Sequence, residues 1–316
     1  MTDSNMDALG SYQELTQDAG YVELHDWNIV SLTGRDRHQL LHNFCTANVK
    51  QLPAGHCTEA FILNEKGKTL WFGQIIALDD QLLLCGASPF GDRIRAHLIR
   101  YVIREDVQVI DSSSELRAAF VSGAEATAKL HSGLGVSLPN ANQSIRTETS
   151  VGQLVIANLE VANWGYLLIH ATNPGLVTDW LANLSISSCD RASLERLRME
   201  NVTPWYGFDV DESNLPQEVN RDAKAISFTK GCYLGQETVA RLDALGHVNQ
   251  LLVGLKFETN PPPLSGLVIE QAGKKILRVT STAKSDTGTI GMGYVRRELA
   301  VSGTEIPYRD GVIRVA

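Results

Sequence analysis

Five side chains able to do chemistry crowd into residues 230–237 of the 316-residue chain: Lys230, Cys232, Tyr233, Gln236 and Glu237, with Gly231 and Gly235 between them. The thiol is the reactive member, because its thiolate is both a nucleophile and a metal ligand. Positive potential favours the thiolate, and two sources are expected. One is Lys230, two residues upstream; the other is the N-terminus of a short helix running on from Glu237. The glycines permit a tight turn or close backbone approach, so the loop is expected to present its side chains. The competing reading is a plain turn with a buried, inert cysteine and a surface lysine. So many reactive types in one turn argue for the first reading.

The elements around this loop are expected from pattern. A helix is expected over residues 190–200, with Asp190 as N-cap and Leu194 and Leu197 turned inward. Pro204 and Pro216 break the next stretch of chain into an extended segment over the core. Upstream, residues 1–20 are polar, a short helix or a loose arm. Two short strands fall within 22–32, and a helix over 35–44 is opened by Thr33 as N-cap. Strands 58–63 and 69–78 are joined by Asn64-Glu65-Lys66-Gly67-Lys68, which is hairpin chemistry, and a further strand spans 81–85. A helix over 89–101 has Pro89 in its first turn. Then come a strand at 117–121, a helix at 123–131, a loop over 132–150, strands at 153–159 and 165–170, and a helix at 174–184. Beyond Gly246, short strands at 251–257, 268–269, 276–280, 289–295 and 312–315 are separated by Pro and Gly, the pattern of a small β-barrel.

Composition narrows the function classes. The formal net charge of −8 disfavours a general polyanion-binding role. No apolar run approaches a membrane span, and the N-terminal residues resemble neither a secretory signal nor a transit peptide, so a cytoplasmic protein is expected. The five cysteines (Cys45, Cys57, Cys85, Cys189, Cys232) are odd in number and widely spaced, without C-x-x-C. A disulfide framework or a self-contained zinc or iron–sulfur site is therefore not expected, and no metal ligands are assigned. His38 and His42 share a helix face but lack further ligands. Arg93, Arg95, Arg100 and Arg104, with His97, make the most basic segment: a solvated helix face, or a docking patch for a polyanionic tail or a macromolecule.

The run Lys230-Gly231-Cys232-Tyr233-Leu234-Gly235-Gln236-Glu237 fills every fixed position of K-G-C-Y-x-G-Q-E. That signature resembles the YgfZ-type folate-binding proteins, relatives of the glycine-cleavage T-protein (aminomethyltransferase) linked to iron–sulfur cluster assembly or repair. Other stretches are similar to the same superfamily: residues 34–49, the hairpin Leu63 to Lys68, the spacing Arg198, Glu200, Pro204, Gly207, Asp209, and Leu215-Pro216-Gln217-Glu218-Val219-Asn220. The resemblance covers essentially the whole chain, and its specific part is 198–241.

It implies an α+β fold of two intertwined α/β lobes (1–245) and a C-terminal β-barrel domain (246–316). It implies tetrahydrofolate or a derivative as cofactor, iron–sulfur proteins or cluster-assembly factors as partners, and effects on tRNA modification, although direct tRNA binding is not supported by the net charge. In this reading Cys232 is the reactive thiol, Lys230 lowers its pKa, and Tyr233, Gln236 and Glu237 shape the loop at the cofactor. Asp92 overlies the T-protein aspartate that activates folate, yet Cys85-Gly86 replaces the preceding asparagine–alanine pair, and an acid in a helix's first turn is favourable by itself. Where the T-protein has a threonine–glycine–glutamate clamp, this chain has Asn163-Trp164-Gly165-Tyr166. Trp164 or Tyr166 could stack on a pterin, or be core aromatics. Two other functions stay open: a true tetrahydrofolate-dependent aminomethyltransferase, and a non-catalytic scaffold for a protein or tRNA.

Overall fold

A computed structural model describes residues 3–87, 90–173 and 175–316, with backbone alone for 3–9. The positions expected for Pro89 and for the start of the helix at residue 174 lie outside the described residues. In chain order the first half runs α1 (Asp3–Thr16), β1 (Gly20–Glu23), β2 (Trp27–Thr33), α2 (Arg37–His42), β3 (His56–Leu63), β4 (Thr69–Ala77), β5 (Gln81–Ala87) and α3 (Gly91–Ile99). It continues with β6 (Gln108–Asp111), β7 (Leu116–Ser122), α4 (Ala126–Leu134), β8 (Ser144–Thr149), β9 (Gly152–Glu160) and β10 (Trp164–Ala171). Then come α5 (Leu176–Asn183), β11 (Ser187–Ser188), α6 (Arg191–Glu200), α7 (Asp222–Ala225) and α8 (Gln236–Leu245). The last strands are β12 (Gln250–Glu258), β13 (Val268–Gln271), β14 (Lys274–Ser285), β15 (Gly288–Arg296), β16 (Glu305–Tyr308) and β17 (Gly311–Val315).

Two sheets share one core. A six-stranded sheet has the order β11-β1-β7-β10-β9-β8 and a five-stranded sheet the order β3-β4-β5-β2-β6. Strand alternation divides their faces. Ile29, Leu83 and Cys85 meet Phe120, Ala157 and Leu167 of the other sheet in the shared core. Val30, Leu32, Leu82 and Leu84 point the other way, under Leu40 and Leu41 of α2 and Ile94 and Leu98 of α3. Tyr166, Leu168 and Ile156 face the far side, under Leu130 of α4 and Trp180 of α5. The chain crosses from the first sheet to the second after β1 and returns at β7, which is what intertwines the lobes. The C-terminal sheet, β13-β14-β15-β12-β17-β16, is a curled six-stranded half-barrel whose outer strands β13 and β16 do not pair with each other among the described residues.

Several local expectations shift. Helix α2 begins at Arg37 behind Asp36, because Thr33 remains in β2 and Gly34 turns at φ 95°. A Cβ at Gly34 would lie 2.1 Å from the Asp106 carbonyl, so that close approach demands glycine. The expected loop 132–150 contains β8, a polar strand whose order comes from pairing with β9. Strands β6 and β16 are likewise edges with weak patterns of their own.

A seam joins the five-stranded sheet to the half-barrel. It is built by the segment after α6: Tyr206, Val210, Val219, Ile226 and Tyr233 pack between Phe61 and Phe72 on one side and Leu252, Met292 and Tyr294 on the other. Arg198, fully buried, pins it. Its guanidinium donates to Asp209, to Glu195 (2.7 Å), to the Thr203 carbonyl (3.1 Å) and to Ser281 of β14 (3.2 Å). Asp209 in turn accepts from the Trp205 N–H (3.0 Å) and from the Thr280 and Ser281 hydroxyls (2.7 Å each).

Candidate functional site

The 230–237 loop lies against the end of α2 and the tip of the β3–β4 hairpin. Lys230 is buried, and its Nζ donates to the carbonyls of His42, Cys45 and Ala47 at 2.7, 2.7 and 2.8 Å. All three ammonium protons are thereby spent on backbone. Lys230 therefore fastens the loop to the turn after α2 rather than addressing the thiol, as its place in the sequence suggested. Burial pushes its pKa down to about 8, and the nearby Cys45 thiol opposes this only in part. Leu234 N–H donates to the Asn43 carbonyl (2.9 Å), and the Thr238 hydroxyl donates to the Lys66 carbonyl (3.1 Å). Gly235 sits at φ 82°, where a Cβ would come within 2.5 Å of the Asn64 carbonyl.

The loop's other members divide by exposure. Tyr233 is buried in the seam, with the Lys230 ammonium 4.8 Å from its ring centroid, and burial raises its phenol. Gln236 accepts from the Tyr233 N–H (3.3 Å). Glu237 is exposed in the first turn of α8, where an acid suits the positive helix end. Cys232 is exposed, whereas the other four cysteines are buried. Burial pushes the thiol of Cys45 up to about 11 and those of Cys57 and Cys189 up to about 12, and it raises Cys85 as well. Those four are neutral thiols in the core. Beside the loop, His42 accepts the Lys50 N–H at Nδ1 (3.3 Å), and its Nε2 faces Gly231. Burial, then Lys230 and Lys50, lower its pKa.

A second constellation lies between the two N-terminal sheets. Arg221 is sandwiched by carboxylates: it donates to Glu59 through Nε (3.0 Å) and Nη2, and to Glu160 through Nη1 and Nη2 (3.2 Å each). Gln74 donates to Glu59 (3.3 Å) and Lys224 donates to Glu160. Burial opposes the ionisation of Glu160, but the bonds from Arg221 and Lys224 outweigh it and hold the carboxyl below its usual range. Glu59, Gln74, Asn142, Glu160, Trp164 and Lys224 line a cavity of about 210 Å³. A narrower cleft continues along Glu59, Gly73, Gly86 and Glu160 to Trp27, whose indole N–H has no hydrogen-bond partner among the described residues. Sequence reading missed this polar core. Its signals were a glutamate inside the apolar strand 56–63 and an arginine directly after Leu215–Asn220.

The expected site residues are thus not brought together. Trp164 is 46 % exposed on the cavity wall. Tyr166 is 6 % exposed on the outer face of its sheet, its hydroxyl bonded to Thr127 (3.0 Å), so it does not reach the cavity. Asp92 is exposed in the first turn of α3 and lines neither the cavity nor the cleft. No residue of 230–237 lines either. Another cavity, of about 600 Å³, lies elsewhere, between α6, Phe208 and β14.

Next to Arg221, Asp222 has an Oδ1 without a partner among the described residues, and burial, then the Asp243 charge, pushes its carboxyl up to about 6. The folded chain therefore holds this proton more tightly than the unfolded chain. The resulting stability is complete below about pH 4 and is lost as pH rises through 6. Asp222→Asn is expected to stabilise the protein by ~1–2 kcal/mol at pH 8 and to change little at pH 4. Denaturant titrations at the two pH values check this; an equal effect at both would contradict it.

The assembly of stacked sheets, seam and half-barrel defines a T-protein fold. It superposes on the glycine cleavage system aminomethyltransferase T of Bartonella henselae with a TM-score of 0.84 at 19 % identity, covering 98 % of this chain and 88 % of that one. No protein-family model matches the chain. Among curated proteins, it is 30 % identical over 260 residues to the tRNA-modifying protein YgfZ of Blochmanniella pennsylvanica, covering 78 % of this chain and 75 % of the relative. It is 27 % identical over 303 residues to the protein of the same name from Yersinia enterocolitica (93 % and 87 %), and 25 % identical over 303 residues to a chloroplastic protein of Arabidopsis thaliana (92 % and 68 %). The chain belongs to the YgfZ family. Among the described residues no helix is long and apolar enough to cross a membrane.

Proposed function

We propose that the protein is a folate-dependent accessory factor that supports tRNA modification by maintaining iron–sulfur enzymes, with Cys232 as its reactive thiol. The observation that carries this reading is the treatment of the five cysteines: four are sealed in the core, and Cys232 is held at the surface by a loop anchored through Lys230 and Gly235. Such a thiol offers its sulfur lone pair to an electrophilic carbon or transiently to a metal ion, without reorganising the loop. The curated relatives named tRNA-modifying proteins support the biological setting.

The cavity beside Trp164 is our proposed tetrahydrofolate site. The residues fit: an exposed indole for stacking, the Glu160 and Glu59 carboxylates as acceptors for a pterin's amino and ring N–H groups, Asn142 and Gln74 as two-way partners, and the Trp27 N–H, unpartnered among the described residues. At about 210 Å³ it suits a ring system, below the roughly 300–1,000 Å³ of sites that enclose a whole ligand. A bound tetrahydrofolate would supply one-carbon chemistry; the chain's own residues orient the ring and leave its tail in the open. Tyr233, Gln236 and Glu237 serve by keeping the thiol loop in shape.

Calorimetric titration with tetrahydrofolate tests the site. Wild type and Cys232→Ala are expected to bind equally, and Trp164→Ala more weakly by about tenfold, the loss of one stacking contact. No binding by the wild type would remove folate from the proposal and favour a scaffold role.

A further inference from the structure

Helix α3 and the turn after it carry a surface that the fold does not use. Arg93 is tied to Glu212, Tyr206 and the Leu70 carbonyl, but the side chains of Arg95, Arg100 and Arg104 are exposed without a hydrogen bond or ion pair among the described residues. Interleaved with them are Ile99, Tyr101 and Ile103, which are 39 %, 39 % and 84 % exposed. One exposed aliphatic is ordinary, but a contiguous apolar group framed by arginines is the composition of an interface. The turn is also held in place: Glu105 accepts the N–H groups of Ile103 (2.8 Å) and Arg104 (3.0 Å), which fixes both side chains outward.

This surface runs into the thiol loop. The Tyr101 ring packs on Phe44 with centroids 4.4 Å apart. The neighbouring Asn43 carbonyl accepts the N–H of Leu234, two residues past Cys232. Leu234 itself packs into the cluster that holds Phe44, Ile94 and Leu98. A macromolecule seated on the helix would therefore lie alongside Cys232. Among the described residues, the carboxylates on this side without an ion pair are Asp92, at the far end of the helix, Glu65, on the hairpin near His97, and Glu105, which is engaged by backbone N–H groups; Asp106 pairs with Arg35.

We propose that Arg95, Ile99, Arg100, Tyr101, Ile103 and Arg104 form the docking surface for an acidic protein whose thiol or metal group is presented to Cys232. The proposal rests on the reactive role assigned to Cys232. The three arginines complement carboxylates, and the exposed Ile99 and Ile103 require an apolar counterpart. A polynucleotide would leave both isoleucines unused and would meet a chain of net charge −8.

The test places a photo-crosslinking phenylalanine derivative at Ile103 in the full chain inside cells. The expected adduct is with an acidic protein, resists nuclease, and is lost in Arg95→Glu/Arg100→Glu/Arg104→Glu. That protein, purified, should bind the triple variant at least about tenfold more weakly than wild type. Tetrahydrofolate affinity and the alkylation rate of Cys232 should be unchanged, which separates docking from folding and from the site itself. A nuclease-sensitive adduct, an adduct with a second copy of this chain or with a basic protein, or full complementation by the triple variant would each overturn the proposal. If Cys232→Ala complements and the triple variant does not, the thiol role fails while the docking surface stands.

Discussion

Cys232→Ala is expected to abolish cellular function while leaving folding stability within about 0.5 kcal/mol, as for other exposed positions without a packing role. The structure explains why these two effects separate. The loop's anchors are Lys230 on three carbonyls, Leu234 on Asn43, Thr238 on Lys66 and Gly235 against the hairpin; none uses the Cys232 side chain. Three readouts check this: the melting transition, alkylation stoichiometry, and restoration of tRNA modification and iron–sulfur enzyme activity in cells lacking the protein. The native wild type is expected to react at one thiol per chain and the denatured chain at all five. Full complementation by the alanine variant would sink the assigned role, and so would native alkylation of a buried cysteine at a rate matching Cys232.

Arg198→Ala is expected to be strongly destabilising, costing about 3–5 kcal/mol, because it strands Asp209 as a buried carboxylate without its counter-ion. Burial alone opposes the charge on Arg198; the Asp209 and Glu195 carboxylates overcome that and raise its pKa. The same guanidinium lies 4.9 Å over the Trp205 ring and reaches Ser281, so its loss loosens α6, the seam and the half-barrel together. Arg198→Ala/Asp209→Ala should cost less than the sum of the two single changes, since removing both charges leaves neither unpaired. Denaturant unfolding of the four proteins measures this. Additive costs, or a loss below about 1 kcal/mol for Arg198→Ala, would show that the network does not hold the seam.

How much of this was legible in the chain depended on the kind of signal. Regular amphipathic stretches were read nearly to their ends. Asp190 caps α6 by accepting the Ser193 N–H (2.7 Å), and the 64–68 turn joins β3 to β4 as its Asn and Gly predict. A polar edge strand was not legible: Ser144–Thr149 reads as loop because its alternation is weak, and pairing with β9 alone orders it. Pairs distant in sequence were invisible. Glu59 and Arg221 are 162 residues apart, and nothing in either segment names the other.

Residue order alone determined the family and the class of fold, and it singled out 230–237 as a segment crowded with reactive side chains, because those depend on residue types at short spacing. Only the tertiary structure decided what each of those residues touches. Proximity in sequence put Lys230 beside the thiol, yet an ammonium that is buried must find acceptors, and three carbonyls at the end of α2 provide them. Tyr166 and Trp164 look alike as pterin-stacking candidates. The fold sets them apart: Tyr166 is buried against α4 and α5, whereas Trp164 stands on a cavity wall.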